Sequence, residues 1–281
     1  MEKLKYRVKK IKFLVVIIIQ QLALRIFYFF NKNNELNIAI EKNREYLKTI
    51  DLFLPEEAYI RNDYGVQRRI YEKLEKDIIN IPTYSDFIVF LINKIFFNNI
   101  NYLEIGVSVL KNYLQINNSI KNSNIVAFDI NEINPNFKNL KELERNNNNL
   151  IYFKGSVLSS DDAENFKTFF NENYDFIFSD ALHEPHAVNS EYQLIIKNNL
   201  NENFIIYYDD LDFEGLEDEL KVIKKDIEIN TDKKINFYTF KVYGWIGQHE
   251  KIHKNGILTT FDLEKIMSEN KLKIYSFKKV L

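Results

Sequence analysis

From residue 100 onward, short apolar runs alternate with longer stretches in which apolar residues recur every three or four positions. The runs at 100–105, 124–129, 150–154, 174–179 and 203–208 predict buried strands, and the stretches at 108–120, 137–146, 161–171, 187–198 and 215–228 predict the helices between them. Regular alternation of this kind predicts an α/β fold, a mostly parallel sheet with helices on both faces. The rhythm then changes. Residues 235–243 and 252–260 read as two strands joined by a short loop, hence antiparallel, followed by a helix over 261–269 and an apolar tail over 272–281.

Upstream of the sheet the pattern divides into two further segments. Residues 35–98 read mostly as helix and form a lead-in to the 99–281 domain. Pro55-Glu56-Glu57 is a helix start by its proline and acids, 66–81 is charged and amphipathic, and Thr83 or Ser85 caps a helix over 86–97. Residues 1–34 stand apart, with Lys3, Lys5, Arg7, Lys9, Lys10, Lys12, Arg25 and Lys32 against the single acid Glu2. Residues 13–30 are almost wholly apolar, broken by Gln20, Gln21 and Arg25. A spanning anchor needs about 20 apolar residues, so this stretch is marginal for one, and no small-residue cleavage site marks it as a secretory signal. The spacing of Lys10, Gln21, Arg25, Tyr28 and Lys32 on one stripe fits a helix that rests on a membrane surface or self-associates.

Composition narrows the chemistry. The net charge of −2 gives no electrostatic case for nucleic acid, and the absence of cysteine excludes disulfides, thiolate metal sites and cysteine nucleophiles. With 46% hydrophobic residues, the 281-residue chain can fill a large core.

The strand ends carry the candidate chemistry, because ligands of open parallel sheets sit beyond the carboxyl ends of the strands. The first strand runs into Glu104-Ile105-Gly106-Val107-Ser108, a sharp strand-to-helix turn that brings free N–H groups to a ligand. The second ends at Asp129, 25 residues beyond Glu104, where an acid grips a nucleoside ribose in doubly wound folds. The third ends at Lys154-Gly155-Ser156, the fourth at Asp180-Ala181-Leu182-His183, and the fifth at Asp209-Asp210-Leu211-Asp212. Four of five strand ends thus carry carboxylates toward one crevice. Taken singly, each has a plainer reading: Glu104 as a helix-end partner, Asp129 as a turn acid, Asp209 and Asp210 as caps of the next helix, and His183 as a helix-start residue.

Glu104-x-Gly106, Asp129 and Asp180 together resemble a class I S-adenosylmethionine-dependent methyltransferase over about residues 85–260. Asp180-x-x-His183 followed by Asp209-Asp210 is similar to the macrocin-type sugar O-methyltransferases and the cephalosporin-hydroxylase-like group. The resemblance implies a Rossmann-like seven-stranded sheet with its last strand antiparallel. It also implies methyl transfer from S-adenosylmethionine to a hydroxyl of a sugar or other small molecule, assisted by Mg²⁺. The family pattern carries a second glycine in the first loop, where this chain has Val107, Ser108, Val109, Leu110 and Lys111.

By the same resemblance, Gly106 lies against the methionine part of the cofactor, Glu104 organises that loop or meets the amino group, and Ser108 donates to the carboxylate. Asp129 accepts the ribose hydroxyls and Ser156 sits where the adenine edge is read. Asp180, Asp209 and Asp210 form the metal site, hard oxygen ligands that suit Mg²⁺. His183 is the catalytic base, since an imidazole titrates near pH ~6.5. The loop 244–250 holds two glycines, the only tryptophan and a histidine, and Trp245 and His249 are expected to bind the acceptor. His253 reads as a strand-surface residue. Use of a soluble nucleotide cofactor places the chain in the cytoplasm, with residues 1–34 free to contact the cytoplasmic side of a membrane. Two other readings stand beside this one: a metal-dependent glycosyltransferase using Asp210-Leu211-Asp212, and a non-catalytic Rossmann-like binding protein.

Overall fold

The computed structural model describes residues 15–16, 18–20, 22–49, 81–97, 99–108, 110–133, 137, 139–243 and 252–281. The expected helix start at Pro55, the amphipathic stretch at 66–80 and the loop carrying Trp245 and His249 lie outside the described residues.

Eight strands form one sheet: β1 (Asn101–Ile105), β2 (Asn124–Asp129), β3 (Asn149–Lys154), β4 (Tyr174–Ser179), β5 (Leu200–Tyr208), β6 (Asn236–Tyr243), β7 (Ile252–Thr259) and β8 (Lys278–Val280). Their spatial order is β3-β2-β1-β4-β5-β7-β6-β8. The first five pair in parallel, with the sequence reversing direction between β1 and β4, the switch point of a doubly wound Rossmann-like sheet. β7 is antiparallel to β6, as the two late apolar runs predict, and it is antiparallel to β5 as well. The eighth strand is a correction to the seven expected. The apolar tail contributes three residues that pair with β6 at the sheet edge.

Period-two alternation sorts the strand side chains into two cores. One face presents Tyr102, Ile125, Phe176, Ile205 and Tyr238 to α1 (Asn34–Thr49), α2 (Tyr84–Ile95) and α3 (Lys111–Ser119). The other presents Leu103, Val126, Ile177, Ile206 and Phe237 to α5 (Ser160–Phe169), α6 (Pro185–Glu191) and α7 (Leu216–Thr231). A short α4 (Leu140–Leu143) precedes β3, and α8 (Leu263–Glu269) follows β7. The expected helix at 187–198 is split, since Tyr192–Ile196 continues α6 as a π-helical turn. α4 is much shorter than the 137–146 stretch suggested, and its Leu140 and Leu143 are only partly buried against the core.

The lead-in is fastened by a buried ion pair. Asp86, on the first turn of α2, accepts the Thr83 N–H at 2.8 Å and meets Arg44 of α1 at 2.7 Å, with Asn43 donating at 2.7 Å. Both charged side chains are buried, so removing either would strand the other. This anchoring brings Tyr84 to the carboxyl edge of the sheet.

Candidate functional site

The carboxyl edge opens on a cavity of about 530 Å³ whose lining comes from every expected strand end. Glu104, Gly106 and Ser108 line it from the β1 loop, Asp129 from β2, Ser156 from β3, Asp180 and His183 from β4, and Asp209 and Asp210 from β5. Its size falls in the range of small-molecule and cofactor sites.

Local geometry explains how the β1 loop is built without a second glycine. Gly106 takes a φ of +83°, and a β-carbon there would overlap the backbone carbonyl oxygen of Asp180. Its need for glycine therefore comes from the close approach of the β1 and β4 ends. Ser108 and Leu110 adopt φ of +53° and +71°, left-handed conformations that cost a non-glycine residue about 1 kcal/mol or more. The Leu110 N–H is taken by the Val107 carbonyl at 2.9 Å, and what holds the Val107–Ser108 turn is Asp129. Its Oδ2 accepts the N–H groups of Val107 at 2.7 Å and Ser108 at 2.9 Å, and its Oδ1 accepts that of Asn131 at 2.8 Å. A carboxylate offers about four acceptor positions. Three are taken by backbone, which leaves one for a ribose hydroxyl where two such bonds were expected.

Glu104 is buried, accepting from the Tyr102 hydroxyl at 2.8 Å and Asn112 Nδ2 at 2.7 Å. Burial pushes its carboxyl up to about 8, against those two hydrogen bonds. Beside it, Lys111 lies with Nζ 5.1 Å from the centroid of the Tyr84 ring. Burial, followed by repulsion from Arg44, brings its ammonium down to about 7. Lys111 is the one lysine or arginine lining the cavity among the described residues, and the sequence reading gave it no role. Ser156 lines the cavity, donating its N–H to Asp162 at 2.9 Å and accepting the Leu158 N–H on its hydroxyl at 3.3 Å.

The far end of the cavity is a cluster of acids and imidazoles. His183 Nε2 stands 3.5 Å from Asp180 Oδ1 and 3.6 Å from Asp210 Oδ2, and its ring stacks on Phe213 at 5.3 Å. Asp209 accepts from Asn255 Nδ2, whose own Oδ1 takes the Tyr207 hydroxyl proton, so a buried relay of two side chains orients it. Burial first, then the charges of Asp209, Asp210 and Glu104, pushes the Asp180 carboxyl well above the usual range. Asp209 is raised too, by burial against the opposing pull of His253. Asp210 holds a left-handed φ of +53°, backbone strain of the kind found at functional sites.

Atoms of Asp209, Asp210 and His253 lie within 4.8 Å of one another and could hold a cation, whereas Asp180 turns to His183 and is not of that group. His253 Nδ1 pairs closely with Asp210 and stands 3.8 Å from Asp209. Burial pulls its imidazole down, but bonding to Asp210 and the charge of Asp209 outweigh that and hold it above the ordinary histidine value. His253 is thus no surface residue. The antiparallel pairing of β7 with β5 brings the start of β7 to the ligand edge. Asp212 does not line the cavity; its Oδ2 accepts the Lys254 N–H at 2.7 Å.

No protein-family model matches the chain, and no curated protein matches it. Solved structures do. One is an O-methyltransferase from Bacillus cereus in complex with S-adenosylhomocysteine, at 15% identity and a TM-score of 0.44, covering 76% of this chain and 95% of that one. Another is the O-methyltransferase TomG from Streptomyces achromogenes with S-adenosylmethionine, at 10% identity and a TM-score of 0.41, covering 76% and 93%. The mycinamycin-pathway methyltransferase MycE, bound to Mg and S-adenosylhomocysteine, matches at 12% identity and a TM-score of 0.37, covering 53% of this chain. The chain spans about two fifths of MycE, 39% of its length. Likeness at these scores carries no functional argument, so the chemistry has to come from the cavity itself.

Proposed function

We propose that the protein transfers the methyl group of S-adenosylmethionine to a hydroxyl of a small acceptor, such as a sugar, assisted by a divalent cation. The observation that supports this most is the two-ended cavity. A strand–turn–helix loop with a strand-end acid forms one end, and a base flanked by carboxylates forms the other, within one volume of about 530 Å³. At the first end, the β1 loop and the remaining acceptor position of Asp129 suit a nucleoside, Glu104 suits an ammonium group, and Lys111 suits a carboxylate. At the second, two carboxylates and an imidazole fit a divalent cation. The nitrogen donor makes Mn²⁺ as good a fit as the Mg²⁺ expected for oxygen ligands alone.

Bound there, a cation supplies a lowered pKa for the acceptor hydroxyl and a fixed direction for its oxygen. His183 takes the hydroxyl proton on Nε2, held between Asp180 and Asp210 and stacked on Phe213. The acceptor oxygen forms a bond to the methyl carbon as the carbon–sulfur bond breaks, and S-adenosylhomocysteine leaves. Positioning of the two reactants in line is the main contribution asked of the protein.

A thermal-shift series with S-adenosylhomocysteine, a UDP-sugar and NAD⁺, each with and without Mn²⁺ or Mg²⁺, tests the reading. Stabilisation by S-adenosylhomocysteine is expected, and stabilisation by the UDP-sugar alone would overturn it. With an acceptor in hand, His183→Ala should lower kcat about 10²- to 10⁴-fold. The glycosyltransferase reading is less well supported, because Asp212 does not line the cavity and its Oδ2 accepts the Lys254 N–H.

A further inference from the structure

A helix over 22–30 packs against the domain by one side only. Leu24 and Tyr28 are buried against Ile81 and Tyr243, and Phe27 meets Tyr275 edge-on at 5.4 Å. Tyr28 therefore faces inward and does not share an outward polar stripe with Arg25, as the sequence suggested. The outward side is apolar: Leu22, Ile26, Phe29 and Phe30 are 53%, 58%, 66% and 76% exposed, and Val15, Ile18 and Ile19 continue the row upstream. Spacing of three and four residues puts these side chains on one stripe of a helix. Soluble surfaces rarely leave so long an apolar row uncovered.

The charges around the stripe say what covers it. Arg25 lies within it, Lys32 follows with Nζ 5.7 Å from the Phe29 ring centroid, and six cations between Lys3 and Lys12 precede it with only Glu2 to oppose them. We propose that the outward face of this helix binds the protein to the surface of an anionic lipid bilayer, the stripe lying in the boundary of the acyl chains and Arg25 and Lys32 among the headgroups, with the basic run of the sequence before it adding to the attraction. A second copy of the chain would bring the same cations together, whereas anionic headgroups neutralise them. Among the described residues no helix is long and apolar enough to cross a membrane, and an apolar row on one side of a helix whose other side packs on the domain suits a segment lying along the surface. The helix rests on Tyr243 and Ile252, the pair next to Val242 and His253 in the β6–β7 register, so the bilayer would meet the molecule near the edge where the cavity opens. This inference stands whether or not the cavity transfers methyl groups.

Flotation of the full chain with equimolar phosphatidylcholine–phosphatidylglycerol vesicles, against phosphatidylcholine alone, is the test. Binding should be about ten-fold greater on the anionic vesicles and should fall at high salt, since charge supplies the difference. The double variant Ile26→Glu, Phe29→Glu alters only exposed side chains and should melt like the parent while losing vesicle binding. Equal binding to both vesicle types, undiminished binding of that variant, or a dimer by light scattering that the variant splits without any vesicle binding would each overturn the proposal.

Discussion

The two ends of the cavity are held by opposite means. At the β1–β3 end, Asp129 is satisfied by three backbone N–H groups, and the turn it clamps is set before any ligand arrives. At the β4–β5–β7 end, Asp180, Asp209 and Asp210 crowd one another, and two of them are pushed toward the protonated form by burial and by their neighbours. One end is preorganised by hydrogen bonds. The other crowds like charges that His183, His253 and Lys111 offset only in part, a repulsion that a cation would relieve, as in sites where like charges are kept together for function.

The largest test of that difference is the pH dependence of stability in the ligand-free protein. Glu104, and Glu191 behind the site, are each raised by burial to about 8 from an ordinary 4.5. Between those values the folded state keeps a proton that the unfolded state has lost, so stability falls as pH rises, by about 1.4 kcal/mol per pH unit for each group at most. The upward displacement of Asp180 works in the same direction, and so does that of His253, whose charged form contributes stability that is lost as pH rises through its folded value. Lys111 opposes them. Lowered to about 7 from 10.5, it makes stability rise with pH across that interval. Urea melts from pH 5 to 10 should therefore show stability declining to a minimum near pH 8 and recovering above it. Glu191→Gln should flatten the acidic limb, and a monotonic rise from pH 5 to 8 would contradict the picture.

A smaller effect should differ in sign between the ends. Asp129→Asn gives up a charged acceptor to the loop N–H groups and should cost about 2 kcal/mol. Asp180→Asn is of similar shape but removes one member of the crowded trio. At pH 8 it should raise ligand-free stability by about 1 kcal/mol, a figure kept low because the side chain is 26% exposed. Chemical denaturation of both variants checks the pair. Destabilisation by both would mean that the acids of the far end are as well satisfied as Asp129.

The same contrast decides what the sequence revealed. The β1–β3 end was legible because its parts follow one another along the chain: strand, glycine turn, helix, strand, acid. The strands β1 to β5 fell within a few residues of their apolar runs for the same reason. His253 and Lys111 were not legible as site residues. His253 reaches the cavity only through the pairing of β7 with β5, in a register that places Gly256 opposite Tyr208. Lys111 stands in the sequence only as one of the residues that replace a second glycine, and its place at the cavity depends on the fold, which buries it with its Nζ over the Tyr84 ring of α2. The strand β8 escaped notice because three half-exposed residues carry almost no periodic signal.

The smallest effect probes how the preorganised end is made. A loop with a second glycine would reach the left-handed conformation freely, whereas here Ser108 is held at a φ of +53° by its N–H bond to Asp129. Ser108→Gly removes the clash of the β-carbon but gives the unfolded chain more freedom, two effects of about 1 kcal/mol and somewhat less. A net gain of about 0.5 kcal/mol in ligand-free stability is expected by urea denaturation. Affinity for S-adenosylhomocysteine, read by calorimetry, should fall in the same variant if the hydroxyl donates to the ligand. A variant less stable than the parent would show that the serine side chain itself, and not only the Asp129 clamp, holds the turn.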